Sequence, residues 1–237
     1  MQIEISGIKI EIQKKNIKNL HLAVIPPDGK VRVSAPMRLS DESITMFIRT
    51  KLGWIKKQQA KFGRQPRQSE REYVSGETLY LFGQQYFLRV EYSYKGNSLI
   101  LEGNEAILTV RKESTASQRE AFVNEWYRTL LKEKIEIYLP KWENITGLHC
   151  DFWQTKYMTT RWGTCNTKNR KIWLNLQLAK KPIECLEYVI LHELAHLKVR
   201  NHSKDFVAIM DQYMPYWRET KKLLNDLKLD YVEEENE

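Results

Sequence analysis

The chain has 237 residues, 42% of them apolar and 29% charged, with 38 Lys+Arg against 30 Asp+Glu and a formal net charge of +8. That balance belongs to an ordinary globular protein and excludes a disordered, collagenous or helical membrane-spanning chain, because no stretch approaches the roughly 18 consecutive apolar residues a spanning helix needs. The opening MQIEISGIKIEIQKK alternates instead of forming a signal-peptide block, and Cys150, Cys165 and Cys185 lack CxxC spacing, so a cytoplasmic protein without a disulfide framework or zinc ribbon is expected.

In chain order, the first elements read as strands. Ile3, Ile5, Ile8, Ile10 and Ile12 alternate around Gly7, and residues 21–25 and 31–35 flank a Pro26-Pro27-Asp28-Gly29 turn. Ser40-Asp41-Glu42 caps a helix to about Phe62, with Ile44, Ile48, Leu52, Ile55 and Phe62 on its apolar face. Four short strands follow at 78–82, 85–94, 98–101 and 106–110, punctuated by Gly83, Gly96-Asn97 and Gly103-Asn104. Residues 113–118 read as a linker. A long amphipathic helix over 119–139 should stop at Pro140. Strands at 156–164 and 171–178 come next, joined by a polar turn at 166–170. In the second, Ile172, Leu174, Leu176 and Leu178 should face the core and leave Trp173, Asn175 and Gln177 on the other side. A helix from Pro182 to Val199, one from Lys204 to Met210 and a last one reaching about Lys228 complete the pattern, with a frayed Glu-rich tail. The expected fold class is α+β: a mainly β N-terminal module with one helix over 1–112, then an α+β domain over 119–230 whose metal-binding helix packs on a small sheet.

The charge is uneven. Residues 1–112 carry 19 Lys+Arg against 11 Asp+Glu, whereas 113–237 carry 19 of each. The excess concentrates at 49–71, where Arg49, Lys51, Lys56, Lys57, Lys61, Arg64, Arg67 and Arg71 face only Glu70. A solvated helix face explains this most simply. A surface that tracks nucleic-acid phosphates or acidic partners is the alternative.

Three of the five histidines lie within eleven residues, in HELAH at 192–196 and at His202. Residues at i and i+4 share one helix face with Cβ atoms roughly 5–6 Å apart, so His192 and His196 can bind one ion while Glu193 sits beside it. His202 can supply a third imidazole if the helix ends after Leu197, with Asn201 suited to a left-handed corner and Ser203 to capping the next helix. Three protein ligands and an open position describe a catalytic zinc site, so Zn2+ is the expected cofactor, and Cys165 is expected to stay off the metal. A histidine alone on a helix is usually a solvated or satisfied side chain. Three at ligand spacing beside a glutamate are not explained that way.

The runs TTRWGTCNTKNRKIWLNLQLAKKP, YVILHELAHLKVRNHSKDF and YMPYW, in this order over about 156–217, resemble the YgjP-like metallopeptidase family, and VRVSAPMRLSDESI with WIKKQQ resembles that family's opening region. The resemblance implies a zincin-like core related to the SprT and Spartan proteases, with His192, His196 and His202 as zinc ligands and Glu193 as the catalytic acid/base. Val199 stands where the metzincin pattern has glycine, and no metzincin Met-turn is identifiable, although Met210 and Met214 are available to pack beneath the site.

The expected function is zinc-dependent hydrolysis of a polypeptide, Glu193 taking a proton from water and passing it to the leaving amine. Arg161 or Tyr213 is the candidate donor to the oxyanion, and the 171–178 strand would accept an extended substrate if it is an edge. Two other readings stand beside it. One is hydrolysis of a nucleotide phosphoanhydride. The other is a nucleic-acid-binding module with a structural zinc, against which the spare Glu193 and the lack of a fourth ligand argue.

Overall fold

The structure, a computed structural model, describes residues 1–25, 29–64, 71–159 and 161–226, the side chains of 61–64 excepted. The expected turn at 26–28, the side chains of Lys61, Phe62 and Arg64, Arg67, Lys228 and the tail lie outside the described residues. The architecture is α+β, and the chain divides into two compact units with the boundary between Gln68 and Ser69. Among the described residues no helix is long and apolar enough to cross a membrane.

In the first unit, β1 (Gln2–Ile5), β2 (Ile8–Lys15), β3 (His21–Ile25) and β4 (Lys30–Pro36) form a sheet in the order β1-β2-β4-β3. β2 and β4 are parallel, and the flanking pairs are antiparallel. Strand alternation puts Ile8, Ile10, Ile12, Val31 and Val33 on one face. There α1 (Asp41–Arg64) covers them with Ile44, Ile48 and Ile55. Arg49, Lys51, Lys56 and Lys57 of that helix are exposed, as a solvated face requires.

The second unit begins with the same topology. β5 (Thr78–Leu81), β6 (Gln84–Tyr92), β7 (Ser98–Glu102) and β8 (Glu105–Val110) pair in the order β5-β6-β8-β7, again with a parallel central pair. The sequence reading grouped these strands with the N-terminal ones in 1–112. Their apolar face, Leu79, Leu88, Ala106 and Leu108, instead shares a core with the helices that follow. Arg71 also belongs here, its guanidinium donating to the Thr78 carbonyl and lying 3.7 Å from Glu77.

The helix α2 (Ala116–Thr146) departs from expectation at both ends. Its start absorbs the second half of the expected linker, because Thr115 and Gln118 form a reciprocal capping box. It then runs through Pro140. An interior proline costs roughly 3 kcal/mol, while burying each large apolar side chain returns about 1.5–3 kcal/mol. Leu139 and Trp142 continue the buried stripe of Val123, Tyr127, Leu131 and Ile135, and the indole of Trp142 donates to Glu187 at 2.8 Å. The helix ends where Gly147 adopts φ 68° and its N–H returns to the Glu143 carbonyl.

A three-stranded sheet follows, built from β9 (Phe152–Lys156), β10 (Gly163–Asn166) and β11 (Lys171–Asn175) in the order β10-β11-β9. The strand expected over 156–164 is therefore two shorter ones, and residues 157–159 and 161–162 are irregular. The alternation of 172–178 does bury Ile172, Leu174, Leu176 and Leu178, but a 3-10 turn over Leu176–Lys180 carries the second half. Asn175 and Gln177 are buried as well, each 3% exposed. Asn175 earns that place through hydrogen bonds. Its Nδ2 donates to the carbonyls of Met158 and Arg161 at 2.7 Å each, its Oδ1 accepts from the N–H of Met158 and Gln177, and its own N–H donates to Trp162. Met158, Arg161 and Trp162 are thus held mainly by Asn175, with Gln177 Nε2 adding a donation to the Met158 carbonyl at 3.3 Å.

The remaining helices are α3 (Ile183–His196), α4 (Lys204–Tyr213) and α5 (Trp217–Asp226), with α3 packed on β10 and β11 as expected.

Candidate metal centre

α3 is apolar on most of its surface, with Leu186, Val189, Ile190, Leu191 and Leu194 buried in the unit's core. Its last turn presents His192, Glu193 and His196 to a cleft. The helix stops at His196, and the chain turns without the expected left-handed Asn201, whose φ is not positive. Instead the Val199 N–H donates to the Ala195 carbonyl, the Val199 carbonyl lies 3.1 Å from His196 Nδ1, and Ser203 N–H donates to the Asn201 carbonyl. Ser203 then stands at the expected N-cap position of α4, in an extended conformation, but its side chain makes no capping hydrogen bond.

This corner brings His202 back to the helix. One nitrogen from each of His192, His196 and His202 falls within 4.8 Å of the others, and the Nε2 atoms of His192 and His202 are 3.0 Å apart. Phe206, 2% exposed, lies against all three rings at centroid distances of 4.8–4.9 Å. It forms the floor, a role the sequence reading offered to Met210 and Met214, which are buried in the same core.

Burial and the neighbouring imidazoles His196 and His202 push the pKa of His192 down to about 3, and burial followed by His196 lowers that of His202. Neutral imidazoles packed together each carry a bare lone pair that no neighbour of the same kind can satisfy in full. A divalent cation satisfies all three at once, so the residues present fit a metal ion. The carbonyl of Val199 suits an Nδ1–H tautomer of His196, leaving Nε2 free to ligate. Cys165 also lines the cleft, where burial and Glu193 push its thiol up to about 11, and its sulfur is not among the clustered ligand atoms.

Glu193 is 4% exposed. Burial raises its carboxyl to about 8, opposed by the charge of Arg161, and its Oε2 has no hydrogen-bond partner. The other side of the carboxyl meets β10. A Cβ built on Gly163 would lie 2.6 Å from Glu193 Oε1, so only glycine lets the strand backbone pass so close. Neither Gly163 nor Asn175 was singled out for the site from sequence, although Gly163 stands in the RWGTC run that carried the resemblance.

The cleft has a volume of about 890 Å3. β10 lines it and is the edge of its sheet, paired antiparallel with β11 through Gly163 to Leu174 and Cys165 to Ile172. The strand expected to take substrate, 171–178, is central instead, because β9 occupies its other side in parallel. Arg161 lines the cleft. Tyr213 does not; it ends α4, half-buried against the core. The tyrosine in the wall is Tyr188, one turn before His192, 5% exposed and stacked on Trp217. Burial, then Glu193, pushes its phenol up to about 12.

A search of curated proteins gives no match. Among solved structures, the metallopeptidase zymogen abylysin of Pyrococcus abyssi is 22% identical, with a TM-score of 0.37 over 41% of this chain and 99% of that one. The zymogen jannalysin of Methanocaldococcus jannaschii is also 22% identical, with a TM-score of 0.35 over 38% of this chain and 92% of that one. The model of the YgjP-like metallopeptidase domain matches residues 18–227. With that span covering both units and the histidine cluster inside it, the chain belongs to the YgjP-like metallopeptidase family and is a metal-dependent hydrolase.

Proposed function

We propose that the chain is a zinc-dependent peptidase in which Glu193 is the general base and then the general acid. The observation that carries this is the position of Glu193. Glu193 follows His192 on the helix, and its buried carboxyl has an unpartnered oxygen in a cleft that the edge strand β10 also lines. His192, His196 and His202 would hold the ion, and three imidazoles with no fourth protein ligand among the described residues suit zinc in an open, catalytic site. When bound, zinc would supply an acidified water and polarise the scissile carbonyl.

The chain's own residues do the rest. The edge of β10 offers backbone N–H and C=O groups to an extended substrate, adding a strand and fixing the scissile bond over Glu193. Glu193 takes the proton from water at Oε2, while Gly163 confines the other side of the carboxyl. A carboxyl raised by burial is a stronger base than a solvated one and gives the proton up again to the leaving amine. Arg161 is the donor assigned to the developing oxyanion, ahead of Tyr213, because it lines the cleft and its charge bears on Glu193. All these residues fall within 119–230. Nothing in the cleft depends on nucleic acid, and the exposed lysines and arginines of α1 remain a solvated face in this reading.

The test is digestion of an unfolded polypeptide by chelator-treated protein before and after zinc is restored. Cleavage that returns with about one equivalent of zinc supports the proposal. Cleavage indifferent to zinc rejects it.

A further inference from the structure

The cleft carries a charge pattern that the proposed reaction does not use. Lys168, Arg200 and Lys221 line it with Arg161, and Glu193, itself buried, is the sole carboxylate among the described lining residues. The three come from separate elements. Lys168 lies in the turn after β10, Arg200 in the corner between α3 and α4, and Lys221 on α5, over the ring of Trp217 at 5.5 Å.

A solvated surface lysine usually says nothing about function. In the same unit several arginines are matched: Arg89 pairs with Glu91 and Glu105, Arg128 with Glu125, Arg170 with Asp151 and Arg218 with Asp211. Scattered surface lysines such as Lys132 and Lys156, by contrast, make no ion pair among the described residues. What sets the cleft apart is that its unmatched cations converge on one concavity. Lys168, Arg200 and Lys221 make no ion pair among the described residues. Like charges gathered round a concave site repel one another in the free protein, and the field they focus is relieved when an anion enters. This half of the chain has no net charge, so the pattern is local and invisible to a count along the sequence.

Resting on the peptidase reading above, we propose that the cleft selects acidic polypeptide segments, with the substrate backbone on the β10 edge and its carboxylates against Lys168, Arg200 and Lys221. Side chains of an extended chain alternate, so acidic residues at every second position would share one face, about 7 Å apart. A nucleotide would also meet the cations, but it would leave the strand edge unused. The edge favours the polypeptide.

The test uses binding, so it does not depend on turnover. Zinc-loaded full-length Glu193→Gln protein is titrated with three fluorescent peptides of one apolar framework, carrying Glu, Gln or Lys at alternate positions, and with ATP. The Glu peptide should bind about 10-fold tighter than the Gln peptide near 50 mM salt, with the difference shrinking toward about 0.5 M. Each of Lys168→Glu, Arg200→Glu and Lys221→Glu, at unchanged zinc content, should erode that preference several-fold. Equal binding of the three peptides, preference for Lys, a Glu preference untouched by all three reversals, or ATP binding without peptide binding would each overturn the proposal. Wild-type protein that cleaves none of the peptides, while the variant keeps its Glu preference, would remove the peptidase reading and leave the selectivity standing.

Discussion

Gly163→Ala is the substitution whose outcome the site geometry determines most sharply. The φ of Gly163 is not in the left-handed region, so alanine fits the backbone, and the unfolded chain loses entropy worth roughly 0.4–1 kcal/mol in its favour. Against this, the new Cβ would meet Glu193 Oε1 at 2.6 Å, Cγ at 2.8 Å and Cδ at 2.9 Å. Ordinary carbon contacts lie near 3.5–4.0 Å, so the carboxyl must retreat by on the order of 1 Å. It can do so by swinging into the cleft. Overpacking of this kind costs about 1–3 kcal/mol, which leaves a net loss of stability between about 0 and 2.6 kcal/mol. Catalysis should suffer far more, because a misplacement of about 1 Å can cost ~100-fold. The assay is kcat/KM on an unfolded polypeptide, with zinc content and the urea midpoint measured on the same samples. The expected result is a fall of about 100-fold at unchanged zinc and near-normal stability. Activity within about threefold of wild type would refute the reasoning, since Glu193 would then not be positioned by the strand.

Asn175→Ala removes the side-chain bonds to Met158 and Arg161, leaving the Gln177 bond and the backbone bond to Trp162, and should cost roughly 2–4 kcal/mol in chemical denaturation, with faster proteolysis near Met158 and Arg161. Phe206→Ala removes the floor under the histidines and should cost about 3–5 kcal/mol while weakening zinc retention against a chelator titration. The metal-free protein should also respond to pH in a predictable direction. The Glu193 carboxyl is raised from 4.5 to about 8 in the folded state, so its stabilising protonated form is fully present below about 4.5 and is lost as pH rises toward 8. Between about pH 4.5 and 6.5 the depressed His192 acts in the opposite sense, so the unfolding free energy with chelator should fall mainly from about pH 6.5 to 8, by on the order of 2 kcal/mol, and Glu193→Gln should flatten that fall.

The clustering of the three histidines was legible because its information is local. His192 and His196 are four residues apart on one helix, and His202 needs only a short corner, so neither tertiary pairing nor distant packing enters. The cleft was less legible for the opposite reason. Whether β10 or β11 is the edge depends on β9 joining from the far side, and nothing in a strand's own alternation records its neighbours. Phe206 and Lys221 reach the site from positions that spacing alone does not connect, whereas Tyr188, four residues before His192 on the same helix, was within reach of the same spacing argument. Pro140 misled because burial of Trp142 outweighs a local penalty, and Asn201 misled because the corner closes through Val199 and Ser203 without a left-handed residue. Gly83-type punctuation was more reliable. The β5 to β6 turn is made by Phe82 and Gly83, both at positive φ, where the sequence placed it.

The central claim is that Glu193 moves the proton while the three histidines only hold the ion. The direct measurement compares wild type and Glu193→Gln for bound zinc and for cleavage of the same unfolded polypeptide. Equal zinc near one equivalent, with turnover reduced by at least about 1,000-fold in the variant, is the predicted result. Turnover that survives the substitution at equal zinc would contradict it.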